Sequence, residues 1–592
     1  MIQKLLSIAL LVLALGSCGP IPPGVSPVSE TASPIPTPGR PGTGALGFQD
    51  FFPGDPASIS RIVIQSGLGE RRQISDQGEI ARFANRVNEL TFSLQADQTP
   101  RGGFLYRLEL YTGEGKALEI IFNDLSVFID GKYYDLNVGV ATYLDDLFSR
   151  ASELVSYHPL TFELSTTAQA ARVTFPDPYY FLTARFTGTL GEPIKGNGDL
   201  QGLWVSQSSA GGSAGALMEY AVTWIGLAAP PIFCQYEQLG SGSSILRVWD
   251  SISADEKLLA EISLTDSGQC SLDLSALNER PFLEQALPPR PEQMLWAYYY
   301  PWYVEGGWDT SILLDQPGLG YYGSDSQIII EQHIQQAQEA GIDGFISSWW
   351  GPHDYTDDNL RALLDVAQAR DFSVMINFEL LIDNQPLPET DILDWLRYAV
   401  SKYGNHPAYA RVDGKPVFVI WASASVPNST WERILAALRT EGLEPMLLGQ
   451  FAGEMANPAM LEVFGGLYQY NILNIMQSTA SDQVDLLRAV YEEIGRSVHY
   501  YPLLGASGTR IWAATVQPGY DDHLIPGRTS PILPRDDGSL YRATFEAALS
   551  SNPDWIFITS WNEWWEHTHI EPSQMYNDLF LELTREYSQR WR

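Results

Sequence analysis

From residue 294 onward, short apolar runs alternate with amphipathic segments along the chain. Most of the amphipathic segments carry apolar residues at helical spacing, as Ile330, Ile334 and Ala337 do. Eight strands that alternate with helices predict a (β/α)8 TIM barrel over residues 291–592. The alternative is an open doubly wound sheet, although no glycine-rich phosphate loop follows any of the runs. The eight predicted strands are MLWAYYYPWY, DGFISSWW, FSVMINFEL, KPVFVIWA, PMLLGQF, GGLYQYNI, HYYPLLGAS and DWIFITSW.

The preceding half of the chain has a different pattern, in which strand-like runs dominate. Over residues 47–156, runs such as RIVIQSG and YRLELYTG accompany one helical segment, GEIARFANRVNEL, and predict a small α+β accessory domain. Over residues 157–290, further apolar runs are separated by glycine-rich turns and predict a β-sandwich-like domain. We favour a role as spacer or packing partner for the second domain over a role in sugar binding. The proline-rich segment LPPRPEQ marks its boundary with the barrel.

The first residues resemble an export signal followed by a tether. Lys4 precedes an apolar stretch that is too short to span a bilayer comfortably. The following LGSC resembles a bacterial lipobox, which predicts a lipoprotein signal peptide over residues 1–18 and lipidation of Cys18; ordinary secretory cleavage nearby is the alternative. Residues 19–46 are rich in Pro, Ser and Gly and predict a disordered tether. We therefore expect an exported cell-surface lipoprotein, anchored to the membrane through Cys18.

Composition narrows the choice of partners. The net charge of −35 repels nucleic acid and anionic lipid, so we expect no nucleic-acid partner. The 17 tryptophans are a weak sign of carbohydrate binding, because tryptophan also fills cores. Apart from Cys18, the only cysteines are Cys234 and Cys270, which are available for a disulfide in an exported protein; two buried free thiols are the alternative. We expect a monomer.

The densest cluster of acids and bases follows the eighth predicted strand. The segment SWNEWWEHTHIEP, residues 560–572, places Glu563 and Glu566 among tryptophans. Catalytic groups of TIM barrels lie where strands end, and residues three apart in a helical turn point to the same side. Two neighbouring carboxyls shift each other's pKa and so provide a general acid and a general base, which glycoside hydrolysis requires. The alternative is that both glutamates are solvated or paired with arginines.

Aromatic and polar residues also stand at other predicted strand ends. Any one of them could fill the core, but barrel interiors are mostly filled with branched aliphatic side chains. Aromatic residues that converge on one face from several strands therefore predict a sugar-binding cleft. The residues concerned are Tyr300, Trp302, Tyr303, Trp349, Trp350, Glu379, Tyr468 and Tyr470.

A metal site is an alternative use for the histidines of this segment. His567, His569 and Glu571 alternate, and a DDH run lies at residues 521–523. No HExxH or comparable spacing is present. We therefore expect histidines that are exposed to solvent or bonded to sugar, with neither metal nor cofactor.

Five segments carry a more specific signal: AYYYPWY, AGIDGFISSWWGP, NHPAYARVDGKPVFVIW, ATVQPGYDDHLIPGR and ITSWNEWWEHTHIEPS. In this order they resemble glycoside hydrolase family 99, the retaining endo-α-mannosidase and mannanase family, with its family 71/99-like relatives. The resemblance covers about residues 294–592. It implies that Glu566 is the general acid/base. It also implies that Glu563 assists the substrate's own 2-hydroxyl in attacking the anomeric carbon, through a 1,2-anhydro sugar.

The resemblance also implies sugar contacts, because His406, Tyr300, Trp350 and Tyr470 lie in segments similar to the family's sugar-binding ones. Three departures from the family pattern bear on the preference for mannose. Trp565 stands where the family usually has His, His567 stands where it has Gly, and NFELL lacks the usual proline-tyrosine pair. The full predicted substrate-binding set is Tyr300, Trp302, Trp349, Trp350, Glu379, His406, Tyr470, Asn562 and His567.

Together these patterns predict an exported glycoside hydrolase that cleaves α-linked glycans, endo-acting and retaining. An α-mannoside substrate, as for an endo-α-1,2-mannosidase or mannanase, is favoured by the resemblance. One alternative is an endo-α-1,3-glucanase-like activity on the same barrel. The other is a non-catalytic surface glycan-binding lipoprotein, which the presence of both Glu563 and Glu566 argues against, because binding alone requires no paired acid and base.

Overall fold

The computed structural model describes residues 45–177, 180–190, 194–207, 214–224, 228–252, 257–451, 458–476 and 483–592. Cys18, the predicted signal peptide and nearly all of the predicted tether lie outside these residues. Within the described ranges, no helix combines the length and the apolar character that a membrane span requires.

The first folded part is an antiparallel sheet covered by two helices. Its strands follow the order β1-β4-β8-β7-β6-β5-β2-β3. Side chains alternate between the two faces, so that Leu108 and Leu110 of one strand are buried together. The first helix begins after Asp76, whose carboxylate accepts a hydrogen bond from the Glu79 N–H (2.8 Å). The elements are β1 (Leu46–Gly47), β2 (Arg61–Ser66), β3 (Arg71–Ile74), α1 (Gln77–Asn88), β4 (Thr91–Leu94), β5 (Tyr106–Thr112), β6 (Gly115–Asn123), β7 (Ser126–Ile129), β8 (Lys132–Leu136) and α2 (Ala141–Arg150).

The second part consists of two antiparallel sheets that enclose one apolar core. Phe162, Val173 and Leu246 belong to this core. One sheet has the order β11-β14-β9-β16-β17, and the other has the order β12-β13-β10-β15-β18. Cys234 and Cys270 pair across β15 and β18 and form a disulfide. The strands are β9 (Ser152–Thr166), β10 (Ala170–Thr174), β11 (Phe181–Leu190), β12 (Ile194–Asp199), β13 (Gly202–Gln207), β14 (Ala214–Val222), β15 (Ile232–Leu239), β16 (Ser244–Asp250), β17 (Lys257–Leu264), β18 (Ser267–Leu272) and β19 (Leu283–Ala286).

The C-terminal part is a closed barrel of eight parallel strands, which confirms the predicted barrel. The order is β20-β21-β22-β26-β27-β28-β29-β30, and β30 pairs with β20 to close the cylinder. The strands are β20 (Met294–Tyr299), β21 (Gly344–Trp349), β22 (Ser373–Glu379), β26 (Lys415–Trp421), β27 (Met446–Gln450), β28 (Gly466–Tyr468), β29 (Ile511–Val516) and β30 (Trp555–Ile558). Short strand pieces in loops are β23 (Leu381–Ile382), β24 (Gln385–Pro386) and β25 (Arg411–Val412). The helices are α3 (Gln327–Glu339), α4 (Tyr355–Ala369), α5 (Glu389–Tyr403), α6 (Asn428–Thr440), α7 (Leu473–Met476), α8 (Gln483–Tyr500), α9 (Ser539–Ser550) and α10 (Leu579–Trp591).

The predicted seventh strand, HYYPLLGAS, is wrong. Its first residues end helix α8, and Tyr501–Leu504 form a 3-10 turn. Leu503 and Leu504 are buried against Val155 and Tyr157 of the β-sandwich. The run is therefore apolar because it lies in the contact between the β-sandwich and the barrel. The seventh strand of the barrel is β29, a few residues further on.

The β-sandwich packs on the outside of the barrel, along helix α8 and the turn that follows it. The Tyr157 hydroxyl donates to the Leu503 carbonyl (3.1 Å), and the Thr183 hydroxyl donates to the Ser497 carbonyl (2.9 Å). Gln201 donates to the Glu493 carboxylate (2.7 Å). Since these contacts use buried polar groups and an apolar cluster together, they fix the position of the sandwich on the barrel.

Candidate active site

The chain that follows β30 turns sharply at the carboxyl end of the barrel. The Thr559–Ser560 peptide bond is cis. Further on, the Thr568 N–H donates to the Glu563 carbonyl (3.2 Å) and the His567 N–H donates to the Trp564 carbonyl (3.3 Å). Strand geometry has therefore ended before Glu563, and the turn makes Glu563 and Glu566 neighbours whose charges act on each other.

A buried carboxylate holds this turn from beneath. Glu571 accepts hydrogen bonds from the Tyr322 hydroxyl (2.7 Å) and the Trp564 indole N–H (3.1 Å), and it lies 3.1 Å from His333 Nε2. A charged group is rarely buried unless several donors surround it. Glu571 thus anchors the loop to the barrel and lies apart from the cleft.

Glu563 lies almost wholly inside the protein, with only 3% of its surface exposed. Its carboxylate accepts a hydrogen bond from the Trp565 N–H (3.1 Å), and its own N–H donates to the Ser560 hydroxyl (2.8 Å). Burial raises the pKa of Glu563 well above its usual value, and the charge of Glu566 raises it further.

Glu566 has a different set of neighbours, contributed by the loop after β29. Its carboxylate lies 3.5 Å from the Tyr520 hydroxyl and 3.5 Å from an Arg528 guanidinium nitrogen. Asp522 lies 3.3 Å from the same guanidinium and accepts hydrogen bonds from Tyr520 (2.8 Å) and Ser530 (2.9 Å). Burial raises the pKa of Glu566 to about 7, with Arg528 opposing the rise and Asp522 adding to it. A carboxyl with this pKa can donate a proton at neutral pH.

A third buried carboxyl, Glu379, lies at the end of β22. It accepts hydrogen bonds from the Ser348 hydroxyl (2.7 Å) and the Asn377 amide (2.7 Å). Burial raises the pKa of Glu379 to about 7, against these two bonds and with help from the charge of Glu566. The cleft therefore holds more acidic groups than it can ionise at once near neutrality.

Aromatic side chains wall the cleft. The Tyr300 and Tyr470 hydroxyls are hydrogen-bonded to each other. Trp302 packs on Tyr300 with ring centres 4.5 Å apart, and it stacks on Trp565 at 5.2 Å with planes inclined by 12°. Burial and the charges of the acidic groups raise the pKa of both tyrosines, so their hydroxyls remain protonated donors.

Two neighbouring tryptophans, the last residue of β21 and the residue after it, point in opposite directions, as successive residues of a strand do. Trp350 is partly exposed, and its indole N–H donates to the Ser348 hydroxyl (3.2 Å), which places it beside Glu379. Trp349 points the other way and is fully buried, with its indole N–H donating to Asp357 (2.9 Å). The predicted sugar contact of Trp349 is therefore wrong.

Two further predicted sugar contacts, Asn562 and His567, hold the loop together. The Asn562 side chain exchanges hydrogen bonds with the backbone of Tyr300 (2.7 and 3.1 Å), so its polar atoms are already used. His567 is buried, and its ring packs edge-on against Tyr576 at 6.0 Å. Burial lowers the pKa of His567 to about 4, and the charge of Arg535 lowers it further, so the ring is neutral.

The predicted sugar contact of His406 is also wrong, because this residue lies at the other end of the barrel. It follows α5 and precedes β26, and its carbonyl accepts from the Tyr409 N–H (2.9 Å). The next residues bond to Val374, near the amino end of β22. Loops from helix to strand lie at the amino ends of barrel strands, opposite to the catalytic face.

The sequence pattern points to Asp522 only as part of the DDH run of the alternative metal site, and it does not connect the groups of this loop with Glu566. Tyr520, Asp522 and Arg528 all come from the segment GYDDHLIPGR, and Ser530 follows it. An arginine close behind two aspartates after the seventh strand was the available signal. The missed strand assignment concealed it, because β29 lies immediately before this loop.

The histidines and acids near the loop pair with one another in ways that leave no metal cage. His523 is bonded to Asp521, and His569 lies 3.5 Å from Asp315 while its ring stacks on Trp564 at 3.7 Å. Across the described ranges, no group of three or more His, Cys, Asp or Glu residues is arranged to hold a metal ion.

Comparison with known proteins gives matches to the C-terminal half. The model of the family described as "Glycosyl hydrolase family 99" matches residues 311–588. The glycoprotein endo-α-1,2-mannosidase of Mus musculus is 27% identical over 374 residues, which cover 52% of this chain and 76% of that protein. The protein of the same name from Rattus norvegicus is 28% identical over 311 residues, covering 46% of this chain and 63% of its own length.

A solved structure, the GH99 endo-α-mannosidase of Bacteroides thetaiotaomicron in complex with bis-tris-propane, is 25% identical. It covers 50% of this chain and 97% of its own, with a TM-score of 0.43. Glu379, Glu563 and Glu566 all lie within the residues that the family model matches, whereas Tyr300 and Trp302 precede them.

Proposed function

The C-terminal barrel belongs to glycosyl hydrolase family 99 and is a glycoside hydrolase, and from that premise we propose that it cleaves α-mannosidic bonds within glycan chains with retention of configuration. The observation that carries this proposal is the pair Glu563 and Glu566, three residues apart in one turn, sharing an aromatic-walled cleft at the carboxyl end of β30. The names of the matched relatives support mannoside as the substrate class and internal bonds as the target.

In the proposed first step, Glu566 donates its proton to the leaving glycosidic oxygen. Glu563 takes the proton of the sugar's 2-hydroxyl, and the 2-oxygen attacks the anomeric carbon as the glycosidic bond breaks. In the second step, water opens the resulting 1,2-anhydro sugar. The water gives a proton to Glu566, and Glu563 returns its proton to the 2-oxygen, so both carboxyls end as they began.

The proton must lie on Glu566 when the bound sugar reacts. Burial and the charge of Glu566 raise the pKa of Glu563, whose carboxylate accepts hydrogen bonds from backbone N–H groups. Arg528 and Tyr520 stabilise the charged form of Glu566. We infer that a sugar 2-hydroxyl donating to Glu563 stabilises its ionised form and moves the shared proton to Glu566.

The two departures next to the catalytic pair have unequal consequences for the cleft. His567 is buried beneath the loop and packs on Tyr576, so it does not alter the cleft surface. Trp565, by contrast, stacks on Trp302 and forms part of the wall. We therefore propose that Trp565 is the departure that adjusts which sugars this enzyme accepts.

Kinetics with two kinds of substrate test the assignment. We expect Glu566→Gln to abolish cleavage of an α-1,2-mannan oligosaccharide but to retain the first-step release of the aryl group from an α-mannosyl substrate whose aryl leaving group needs no protonation. We expect Glu563→Gln to lose both, because the attacking group is no longer activated. Glu586→Gln, an exposed glutamate of α10, serves as the control.

Three outcomes would contradict the proposal. Full activity of Glu566→Gln on the natural glycan would remove it as the acid. An equal loss on both substrates in both variants would remove the division of roles. Turnover of an α-1,3-glucan in preference to every α-mannan in a glycan panel would replace the proposed substrate.

We also propose that the chain is exported and held at the cell surface through a lipid on Cys18, with residues 19–46 as the tether. The support is the sequence pattern of the first residues, LLSIALLVLALGSC. Expression with labelled palmitate should label the protein and place it in the membrane fraction. Cys18→Ser should lose both the label and the membrane association, and label retained by that variant would contradict the proposal.

A further inference from the structure

One sheet of the β-sandwich has an outer face with an unusual mixture of side chains. In β10 and β15, every second residue points into the core, among them Val173, Ile232 and Cys234. The residues between them point outward. The register places Trp204, Arg172, Glu237 and Ser267 in one row across strands β13, β10, β15 and β18. We call this surface the platform.

Three large apolar side chains of the platform are open to solvent. Trp204 is 40% exposed, Phe233 is 61% exposed and Leu239 is 49% exposed. Phe233 and Leu239 lie on β15 at even spacing from Glu237, so they share its face. Exposed apolar residues that lie apart are ordinary on protein surfaces, so what these three indicate depends on the polar groups between them.

Polar side chains lie between the apolar ones and line an open depression. It has a volume of about 650 Å3, within the range of small-ligand sites. Its side chains include one guanidinium and one carboxylate, together with amides and hydroxyls: Arg172, Thr174, Gln235, Glu237, Ser267 and Gln269.

The charge of the platform points to an uncharged ligand. Arg172 and Glu237 stand opposite each other in the register and offset each other's charge. The whole chain, in contrast, carries a net charge of −35. An anionic polymer would be repelled by the negative charge of the chain.

The spacing of the two aromatic rings suits an extended ligand. Trp204 lies opposite Arg172, and Arg172 lies opposite Glu237 of β15, so Trp204 is two strands away from β15. Phe233 lies four residues along β15 from Glu237. With about 4.8 Å between strands and about 3.4 Å per residue, the Cα atoms of Trp204 and Phe233 are roughly 17 Å apart. A sugar ring has an apolar face that can pack on an aromatic ring and hydroxyls that can bond to amides and guanidinium groups.

We propose that the platform is a second, non-catalytic binding site, and that it holds a stretch of several sugar units of a neutral glycan chain. A protein partner fits less well, because stable protein interfaces have a contiguous apolar centre and here polar residues separate the apolar side chains. The glycoside hydrolase barrel of the same chain acts on ligands of this chemical class. The platform would hold a polymer while the barrel cleaves it.

Affinity electrophoresis of the full chain tests the proposal. Glu566→Gln is used as the parent so that the polymer in the gel, a soluble α-mannan or a soluble α-glucan, is not degraded. One of the two polymers should slow the parent in the gel. We expect Trp204→Ala and Phe233→Ala each to weaken binding of that polymer about fivefold or more, as truncation of an aromatic side chain at the centre of an interface does. Leu258→Ala is the control, because Leu258 is 42% exposed and lies in β17 of the other sheet.

A second measurement separates the platform from the cleft. With Glu566 intact, the two aromatic variants should cleave short oligosaccharides at the parental rate, while KM for the polymer rises. The proposal would be overturned if the polymer retarded both variants as strongly as the parent, or if Leu258→Ala lost as much binding as they do. It would also be overturned if neither polymer retarded the parent. Binding without any hydrolysis by the wild type would instead refute the proposed activity and leave the platform standing.

Discussion

Removal of the cation beside Glu566 is predicted to move the alkaline limb of the pH–rate profile. An Arg528 nitrogen lies 3.5 Å from the Glu566 carboxylate and 49% of the arginine side chain is exposed. It stabilises the ionised form of an acid whose pKa is about 7. Arg528→Met therefore raises the pKa of Glu566, and the enzyme keeps its acid protonated to a higher pH.

The size of the shift follows from the distance and the exposure. Two unit charges 3.5 Å apart interact by about 1 kcal/mol at the dielectric constant of water and by about 5 kcal/mol at an effective value of 20. Because Arg528 is half-exposed, solvent screens the pair and the lower part of this range applies. At about 1.4 kcal/mol per pKa unit, we expect an upward shift of about one unit.

The assay is kcat/KM on an α-mannan oligosaccharide from pH 5 to pH 9, since this ratio reports ionisations of the free enzyme. Arg528→Lys keeps the charge and should leave the limb close to its original position. Arg542→Met, which removes an equally exposed arginine from an ion pair with Glu586, is the matched control. The reasoning is refuted if the limb stays in place in Arg528→Met, or if it moves by the same amount in either control.

Three further predictions concern the loop, its anchor and the sandwich. Glu571→Ala should lower the free energy of unfolding by about 3 kcal/mol or more, because it leaves the Tyr322, His333 and Trp564 donors buried without an acceptor; exposed Glu586→Ala should change it by less than about 0.5 kcal/mol in the same denaturant titration. At His567, where φ is +52°, His567→Gly should be more stable than His567→Ala by about 1 kcal/mol, since glycine adopts this conformation without strain; equal stabilities would contradict this. The double change Cys234→Ala and Cys270→Ala should destabilise the sandwich by about 3–4 kcal/mol, because the disulfide closes a loop of 36 residues; unchanged resistance to proteolysis of the sandwich would contradict it.

The barrel could be predicted from the sequence because its strands and helices repeat one pattern. The one wrongly predicted strand shows where this pattern fails. HYYPLLGAS has the length and the apolar character of a strand, but its leucines are buried against Val155 and Tyr157 from a distant part of the chain. A contact between domains leaves the same apolar run as a contact within a sheet, so pattern alone does not separate the two.

The site could be predicted in part, for reasons of geometry. Glu563 and Glu566 are close in sequence and follow an unmistakable strand, so their proximity follows from local structure. Trp349 and Trp350 differ by one position, and that single step decides between core and cleft. The family resemblance predicts that His406 contacts sugar, but this residue lies in a helix-to-strand loop at the other end of the barrel.

The surroundings of the two proposed catalytic carboxyls, Glu563 and Glu566, lead to one more consequence. Glu563 is bonded within its own turn, to the Trp565 N–H. Glu566 meets a cation, a carboxylate and a hydroxyl that all come from the loop after β29, about forty positions earlier in the chain. The pKa of Glu566, the proposed acid, is therefore adjusted by a segment that can change without moving Glu563, the proposed base for the sugar hydroxyl. Substitutions among residues 520–530 should shift the pH dependence of the enzyme while leaving its stereochemical outcome the same, because the latter depends on the turn that fixes Glu563.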